Sequence, residues 1–327
     1  MRAMPPELLD AVAGELGRHR GAGVAASARR LSERYLADHP ASRPILAAPD
    51  DVAGYLTTRM PATFAAVAAA LDQVSDAVPT LEPRSVLDLG AGTGAATWAA
   101  REVFGSLERA TLVDYAPEAL AVAARLLRAS DLDVTTTTAP LTRAGSGADD
   151  GVAGPDLAVC AFVLGELTEQ ARDAVVDSAM LAPTVLLVEP GTPAGYRRIL
   201  RARGRLLDAG WHLAAPCPHE LACPLASVEG EWCHAAVRLP RTREHRAAKG
   251  GERGYEDEKF SYVAATRLPV RLPAARVLRH PQVRTGHVRL ELCEADGAAR
   301  GVTVSKRQGT LYRAARKAAW GDAWDPA

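Results

Sequence analysis

The sequence predicts an α/β protein built on a doubly wound, mostly parallel sheet, and three observations predict it. Short apolar segments at 85–89, 111–113, 134–138, 157–164 and 185–188 read as strands. Helical periodicity fills several of the intervals, and alternating strands and helices close into a parallel sheet covered on both faces. Gly90-Ala91-Gly92-Thr93-Gly94 directly follows the first strand and opens the next helix, where glycine lets a backbone turn sharply and approach a ligand.

Taken in order, residues 5–78 read as helical. Leu8, Leu9, Val12 and Leu16 recur at helical spacing, as do Phe64, Val67, Ala68 and Leu71, while Pro40, Pro44, Pro49 and Pro61 divide the region into short helices. We expect it to carry no chemistry. Helices are expected over 95–104 and 117–128, and the Gly- and Asp-rich stretch 144–154 is a loop. The fifth strand ends at Glu189-Pro190-Gly191, and a helix over 194–209 carries Arg197, Arg198, Arg201, Arg203 and Arg205. After Trp211 the alternation stops. Residues 260–266 read as a strand returning to the sheet, and 287–293 and 302–305 as two strands joined through Glu294-Ala295-Asp296-Gly297. The expected organisation is a helical region at 1–80, a Rossmann-like domain at 81–212, and a cysteine-rich metal-binding and β region at 213–327.

Composition bounds the function classes. No apolar run reaches the roughly 18 residues of a membrane span, and the N-terminus lacks an apolar core followed by a cleavage site, so a cytoplasmic, non-membrane protein is expected. The formal net charge of zero conceals an asymmetry: residues 1–193 carry 15 Lys and Arg against 25 Asp and Glu, and residues 194–327 carry 24 against 14. A basic half of this kind either faces a polyanion, RNA first among them, or is ordinary solvated surface.

The glycine spacing is G-x-G-x-G, with Asp88 two residues before Gly90 and Asp114 ending the second strand. Dinucleotide enzymes use G-x-G-x-x-G. The spacing here resembles the first motif of class I S-adenosylmethionine methyltransferases, which assigns Gly90, Gly92 and Gly94 to the cofactor, Asp88 to its methionine end and Asp114 to its ribose hydroxyls. Catalytic residues are not legible. Val163-Leu164-Gly165-Glu166-Leu167 stands where base-amino methyltransferases carry an Asn/Asp-Pro-Pro-aromatic clamp, and no Pro-Cys nucleophile occurs there. Glu166 and Glu189 are rim candidates by position alone.

Of the five cysteines, Cys160 lies within a strand and reads as structural. Cys217, Cys223 and Cys233, with Cys293 beyond them, read as metal ligands rather than disulfides in a cytoplasmic protein. Spacings of five and nine intervening residues match neither a zinc knuckle nor a ferredoxin run, so zinc and iron–sulfur both stay open. His219 and His234 are alternatives to Cys293 in a zinc site.

At these residues the chain resembles the Rsm-twenty-two family of small-ribosomal-subunit methyltransferase-like proteins, relatives of the mitochondrial methyltransferase-like protein seventeen. The resemblance covers roughly residues 30–310. It rests on the stretch from Leu87 to Gly94, on Leu164-Gly165-Glu166-Leu167, and on Glu189-Pro190-Gly191-Thr192-Pro193. It continues through Cys217-Pro218-His219, Trp232-Cys233-His234, Tyr255-Glu256-Asp257-Glu258-Lys259-Phe260-Ser261-Tyr262, and Gly286-His287 leading into Cys293. The resemblance implies a monomeric, bacterial factor that binds small-subunit rRNA and the small ribosomal subunit during assembly. It also implies a [4Fe-4S] cluster on Cys217, Cys223, Cys233 and Cys293. An active S-adenosylmethionine-dependent rRNA methyltransferase is the alternative, and a small-molecule methyltransferase a third reading.

Overall fold

The strand-like segments become neighbours in one sheet. A computed structural model of the chain describes residues 2–18, 27, 49–141, 154–240 and 254–325; Pro40, Pro44 and the expected loop at 144–153 lie outside the described residues. Five parallel strands, β1 (Ser85–Leu89), β2 (Arg109–Asp114), β3 (Asp133–Thr138), β4 (Leu157–Ala161) and β5 (Thr184–Pro190), lie in the order 3-2-1-4-5. The order reverses between β1 and β4, the crevice where open α/β sheets bind ligands. Beyond β5 the sheet becomes mixed. β8 (Tyr255–Thr266) runs antiparallel to β5 and is flanked by β6 (His212–Ala215) and β7 (Ala235–Pro240).

Alternation along the central strands divides the core. In β5, Leu186 and Val188 face one helical layer and Val185 and Leu187 the other. The first layer holds α1 (Pro6–Arg18), α2 (Pro49–Thr58), α3 (Met60–Ala77), α4 (Ala95–Val103) and α5 (Pro117–Leu127). The second holds α6 (Glu169–Ala179) and α7 (Pro193–Asp208). α3 is the most deeply set, with twelve of its 18 residues buried, because its run of alanines lets it lie close against α4. No helix among the described residues is long and apolar enough to cross a membrane.

Three expectations need correcting. The fourth strand stops at Ala161 rather than Leu164, because Phe162 takes φ 61° and turns the chain into a 3-10 turn at Leu164–Glu166. The returning strand is longer than 260–266, since Tyr255–Phe260 pairs with β7 before the chain reaches β5. The Rossmann-like unit therefore runs past residue 212, and the separate C-terminal sheet begins at Ala275.

That second sheet contains β9 (Ala275–Val277), β10 (Gln282–Arg284), β11 (His287–Glu294), β12 (Ala299–Ser305) and β13 (Ala323–Trp324), covered by α8 (Thr310–Lys317). The expected turn joins β11 to β12, with Glu294 N–H donating to Ala298 O at 2.9 Å and Gly297 at φ 84°. The sheet has its own apolar core of Val277, Val288, Leu290, Leu292, Val304, Ala315 and Trp324. Arg276 docks it on the main body, donating from Nε to Pro216 O at 2.7 Å.

Candidate functional site

The glycine loop forms the floor of a cavity at the C-terminal ends of β1, β2 and β4. Gly90 N–H donates to Val113 O at 2.8 Å, tying the loop to β2. Gly90 adopts φ 76°, and a Cβ there would stand 2.3 Å from Val163 Cγ2, so only glycine fits. Asp114 accepts from Gly92 N–H (2.8 Å, Oδ2) and Ala116 N–H (2.9 Å, Oδ1). Burial raises its carboxyl above the usual range against those donors. The carboxylate fixes the loop while each oxygen keeps a further lone pair.

Asp88 does not line this cavity. Its Oδ2 accepts from Thr97 N–H at 3.1 Å and Thr97 Oγ1 at 2.7 Å, tying β1 to the first turn of α4. Burial pushes the Asp88 carboxyl up to about 7, opposed by the Thr97 donors and reinforced by Asp114. Between about 4 and about 7 the folded protein thus retains a proton that the unfolded chain has released. Stability falls by about 1.4 kcal/mol per pH unit as pH rises through that window, and stays low above it. Asp88→Asn should flatten this dependence and melt higher than wild type at pH 8. A wild-type melting temperature independent of pH from 4 to 8 would contradict the assignment.

The cavity, about 40 Å³, is lined by Gly90, Gly92 and Asp114 together with Tyr55, Phe162 and Glu166, among others. Sequence reasoning missed Tyr55: the N-terminal helices, expected to be inert, supply a wall of the site. Arg59, next along, forms a buried pair with Glu258 of β8 (3.0 Å) and lies over the Phe162 ring at 5.5 Å from its centroid. Tyr115 Oη donates to Glu166 Oε2 at 2.9 Å across the mouth, which narrows the cavity well below the roughly 300–1,000 Å³ of small-molecule pockets. The two rim carboxylates separate. Glu166 faces the cavity, whereas Glu189 is fully buried, accepting from Leu164 N–H (2.9 Å) and Arg198 Nε (2.5 Å).

A second site lies where α7, the loop 216–234 and β11 meet. Gly191 allows the close approach that begins it. A Cβ there would stand 2.7 Å from the Lys259 backbone, and Trp232 Nε1 donates to Gly191 O at 2.9 Å. Arg203 donates to Leu221 O at 2.6 Å and Ser261 Oγ to Cys233 O at 2.8 Å, which pins the loop. Cys217, Cys223 and Cys233 line a cavity of about 40 Å³ with Tyr196, whose Oη reaches Cys223 Sγ at 3.2 Å. Cys293 packs against Cys223, Cys233, Leu225 and Leu278, and its Sγ lies 3.4 Å from His219 Nε2. The four cysteines from distant segments therefore converge as free thiols, and burial followed by the neighbouring sulfurs raises Cys293 to about 12. Among the described residues, however, no three His, Cys, Asp or Glu side chains are arranged to hold a metal ion. His219 Nδ1 and His234 Nε2 are buried without a hydrogen-bond partner. Cys160 is buried in the main core, remote in character from this set.

The arginine helix is not a free cationic face. Arg201 pairs with Glu169 and with Asp173 (2.7 Å), and Arg205 with Asp177 (2.5 Å), all on α6. Two charge stripes with period four, acidic on α6 and basic on α7, neutralise each other. The expected RNA face at Arg197, Arg201 and Arg205 is corrected accordingly.

Comparison with known proteins places the chain. It is 31% identical over 299 residues to the human mitochondrial ribosome assembly protein METTL17, a match covering 82% of this chain and 61% of that protein. It is also 31% identical over 179 residues to Rsm22-cox11 tandem protein 2, mitochondrial, of Schizosaccharomyces pombe, covering 42% of this chain and 24% of the relative. The chain thus spans less than two thirds of the length of these curated relatives. Among solved structures, Aeropyrum pernix fibrillarin with natively bound S-adenosyl-L-methionine aligns at a TM-score of 0.37 and 14% identity, over 61% of this chain and 76% of that one. M. capricolum TrmK in complex with S-adenosyl-homocysteine aligns at 0.37 and 8%, over 61% and 68%. Likenesses of this size carry no argument about the site. The profile of the family described as mitochondrial small ribosomal subunit Rsm22 matches residues 49–325, and the chain belongs to that family.

Proposed function

We propose that this protein is a methyltransferase-like assembly factor of the small ribosomal subunit. In this reading it binds small-subunit rRNA, holds S-adenosylmethionine at the Gly90–Gly94 loop and carries a [4Fe-4S] cluster on Cys217, Cys223, Cys233 and Cys293. One observation carries the reading: the family match takes in both the glycine loop and all four cysteines. Cells deprived of the protein should accumulate incomplete small subunits on a sucrose gradient, with large subunits unaffected. An unchanged gradient would contradict it.

The residues suit the cofactor in chemistry. Asp114 has acceptor capacity for ribose hydroxyls, the loop and the α4 N-terminus offer N–H groups, and the Tyr115–Glu166 contact must part for a ligand of that size to enter. When bound, S-adenosylmethionine supplies an electrophilic methyl group. By calorimetry, Asp114→Ala should weaken its binding by about 1–3 kcal/mol, and Tyr115→Phe, which removes the closing hydrogen bond, should strengthen it. Binding insensitive to both would overturn the placement.

The cluster is proposed on donor chemistry. Zinc with four sulfurs at about 2.3 Å requires a tight tetrahedron, which these thiols do not form; a four-iron body is larger and its ligands stand farther apart. Zinc is the competing outcome. The intact loop favours active rRNA methylation as a second reading. Asp114→Ala that rescues assembly in deprived cells would make the cofactor dispensable for it, and failed rescue by a folded variant favours transfer.

A further inference from the structure

Between Gly297 and Gly321 the chain carries six Lys and Arg and no Asp or Glu. Arg300 is answered by Glu294 and Asp296. The other five, Lys306, Arg307, Arg313, Arg316 and Lys317, are exposed, and among the described residues no carboxylate pairs with any of them.

The fold gathers them with a sixth cation. Arg284 stands opposite His287 across the β10–β11 pair, and both are exposed. Lys306 N–H donates to Gly286 O at 2.7 Å, which sets Lys306 and Arg307 beside the β10–β11 turn. From there α8 runs back over β11 and β12, burying Ala315 and packing Leu311 and Tyr312 on the sheet's core. Arg313, Arg316 and Lys317 are left outward. Their contacts are with neutral groups: Arg313 Nη2 donates to Thr310 Oγ1 at 3.1 Å, and the Arg316 guanidinium lies 6.0 Å from the Tyr312 ring centroid. Such contacts direct the side chains and leave their charge uncancelled. The contrast with α7 is sharp, since there Arg201 and Arg205 are each matched by acids of α6. A surface of like charges without internal partners costs self-repulsion, which a polyanion relieves.

We infer that Arg284, Lys306, Arg307, Arg313, Arg316 and Lys317, on the C-terminal sheet and α8, form the surface that receives the phosphate backbone of RNA. The inference rests on the rRNA-associated reading above and adds where the RNA lies. Cations seated on phosphates release counterions, so each one removed lowers the salt dependence of binding by about one unit of slope.

The test is fluorescence anisotropy of the full-length protein with a labelled small-subunit rRNA fragment, from about 50 to about 200 mM KCl. Three proteins are compared: wild type, the variant with all six residues changed to Gln, and the control Arg201→Gln/Arg205→Gln. Glutamine keeps the packing of each stem, and melting curves confirm folding. The six-residue variant should lose at least about ten-fold in affinity and about three or more units of slope, while the control stays within about two-fold. Equal affinity and slope in the six-residue variant would overturn the surface while leaving the RNA reading intact. No binding by wild type would instead overturn the RNA reading itself. If wild type bound vesicles rich in phosphatidylserine through the same six residues and as tightly as RNA, the surface would be a membrane one, and the proposal would fail.

Discussion

Replacing any one of Cys217, Cys223, Cys233 or Cys293 by Ser should abolish metal binding, whereas Cys160→Ser should leave it intact. Protein purified without oxygen should hold about four irons per chain and absorb broadly near roughly 400 nm, as expected of a [4Fe-4S] centre. The single variants should hold less than about one. The effect is close to all-or-none because the ligands come from three segments, and a three-thiolate remnant must still close the loops between them. The fold also decides which part of the chain responds to metal loss. The hairpin bearing Cys293 has an apolar core of its own around Leu290, Leu292 and Val304, so the C-terminal sheet should persist without metal. The segment that should loosen is the 216–234 loop, held in the metal-free fold by Arg203, Ser261 and Trp232. Limited proteolysis of Cys293→Ser should therefore cut between 217 and 233 and spare β11. Colourless protein with one zinc would refute the cluster and keep the site, and fully folded, protease-resistant protein without metal would refute both.

Arg59→Met should destabilise the protein by about 3–5 kcal/mol, since it strands the Glu258 charge in a buried setting. Arg59 is 7% and Glu258 8% exposed, and the pair is two-pronged, Nη2 to Oε1 at 3.0 Å and Nη1 to Oε2 at 3.4 Å. At about 2–4 °C per kcal/mol for chains of this order of size, the melting temperature should fall by roughly 10 °C. Arg59→Met/Glu258→Leu should recover most of the loss, because a buried ion pair replaced whole by apolar groups is often neutral. A double variant as unstable as the single one would show that the pair acts through packing alone. The pair lies between the two sites: Arg59 is four residues from Tyr55 at the cofactor cavity, and Glu258 pairs with Val237 of β7 just beyond the cysteine loop.

Sequence pattern resolves β1, β2, β3 and β5 because their apolar runs are bounded by turn residues, and it finds the glycine loop because the chemistry there is local. It overextends β4, since Val163 and Leu164 continue an apolar run in a turn that Phe162 begins with a left-handed φ; periodicity cannot mark such an end. Helix α8 escapes notice because eight residues with one buried position, Ala315, give no stripe to read. Helix α6 is also missed, although Thr168 caps it by accepting from Ala171 N–H. Its acidic stripe Glu169, Asp173, Asp177 has the same spacing as Arg197, Arg201, Arg205, and that match is the signal that could have paired the two helices. Tyr55 in the cavity and Arg59 on Glu258 are invisible to any local pattern, since their partners lie up to 199 residues away.

Crosslinking of the protein to RNA in living cells, followed by sequencing of the bound fragments, tests the central claim most directly. Crosslinks should concentrate in small-subunit rRNA, and should be lost when the six exposed cations of β10, α8 and the turn between β12 and α8 become glutamine. Crosslinks spread over messenger and transfer RNA, or no recovery above background from the wild-type protein, would contradict that claim.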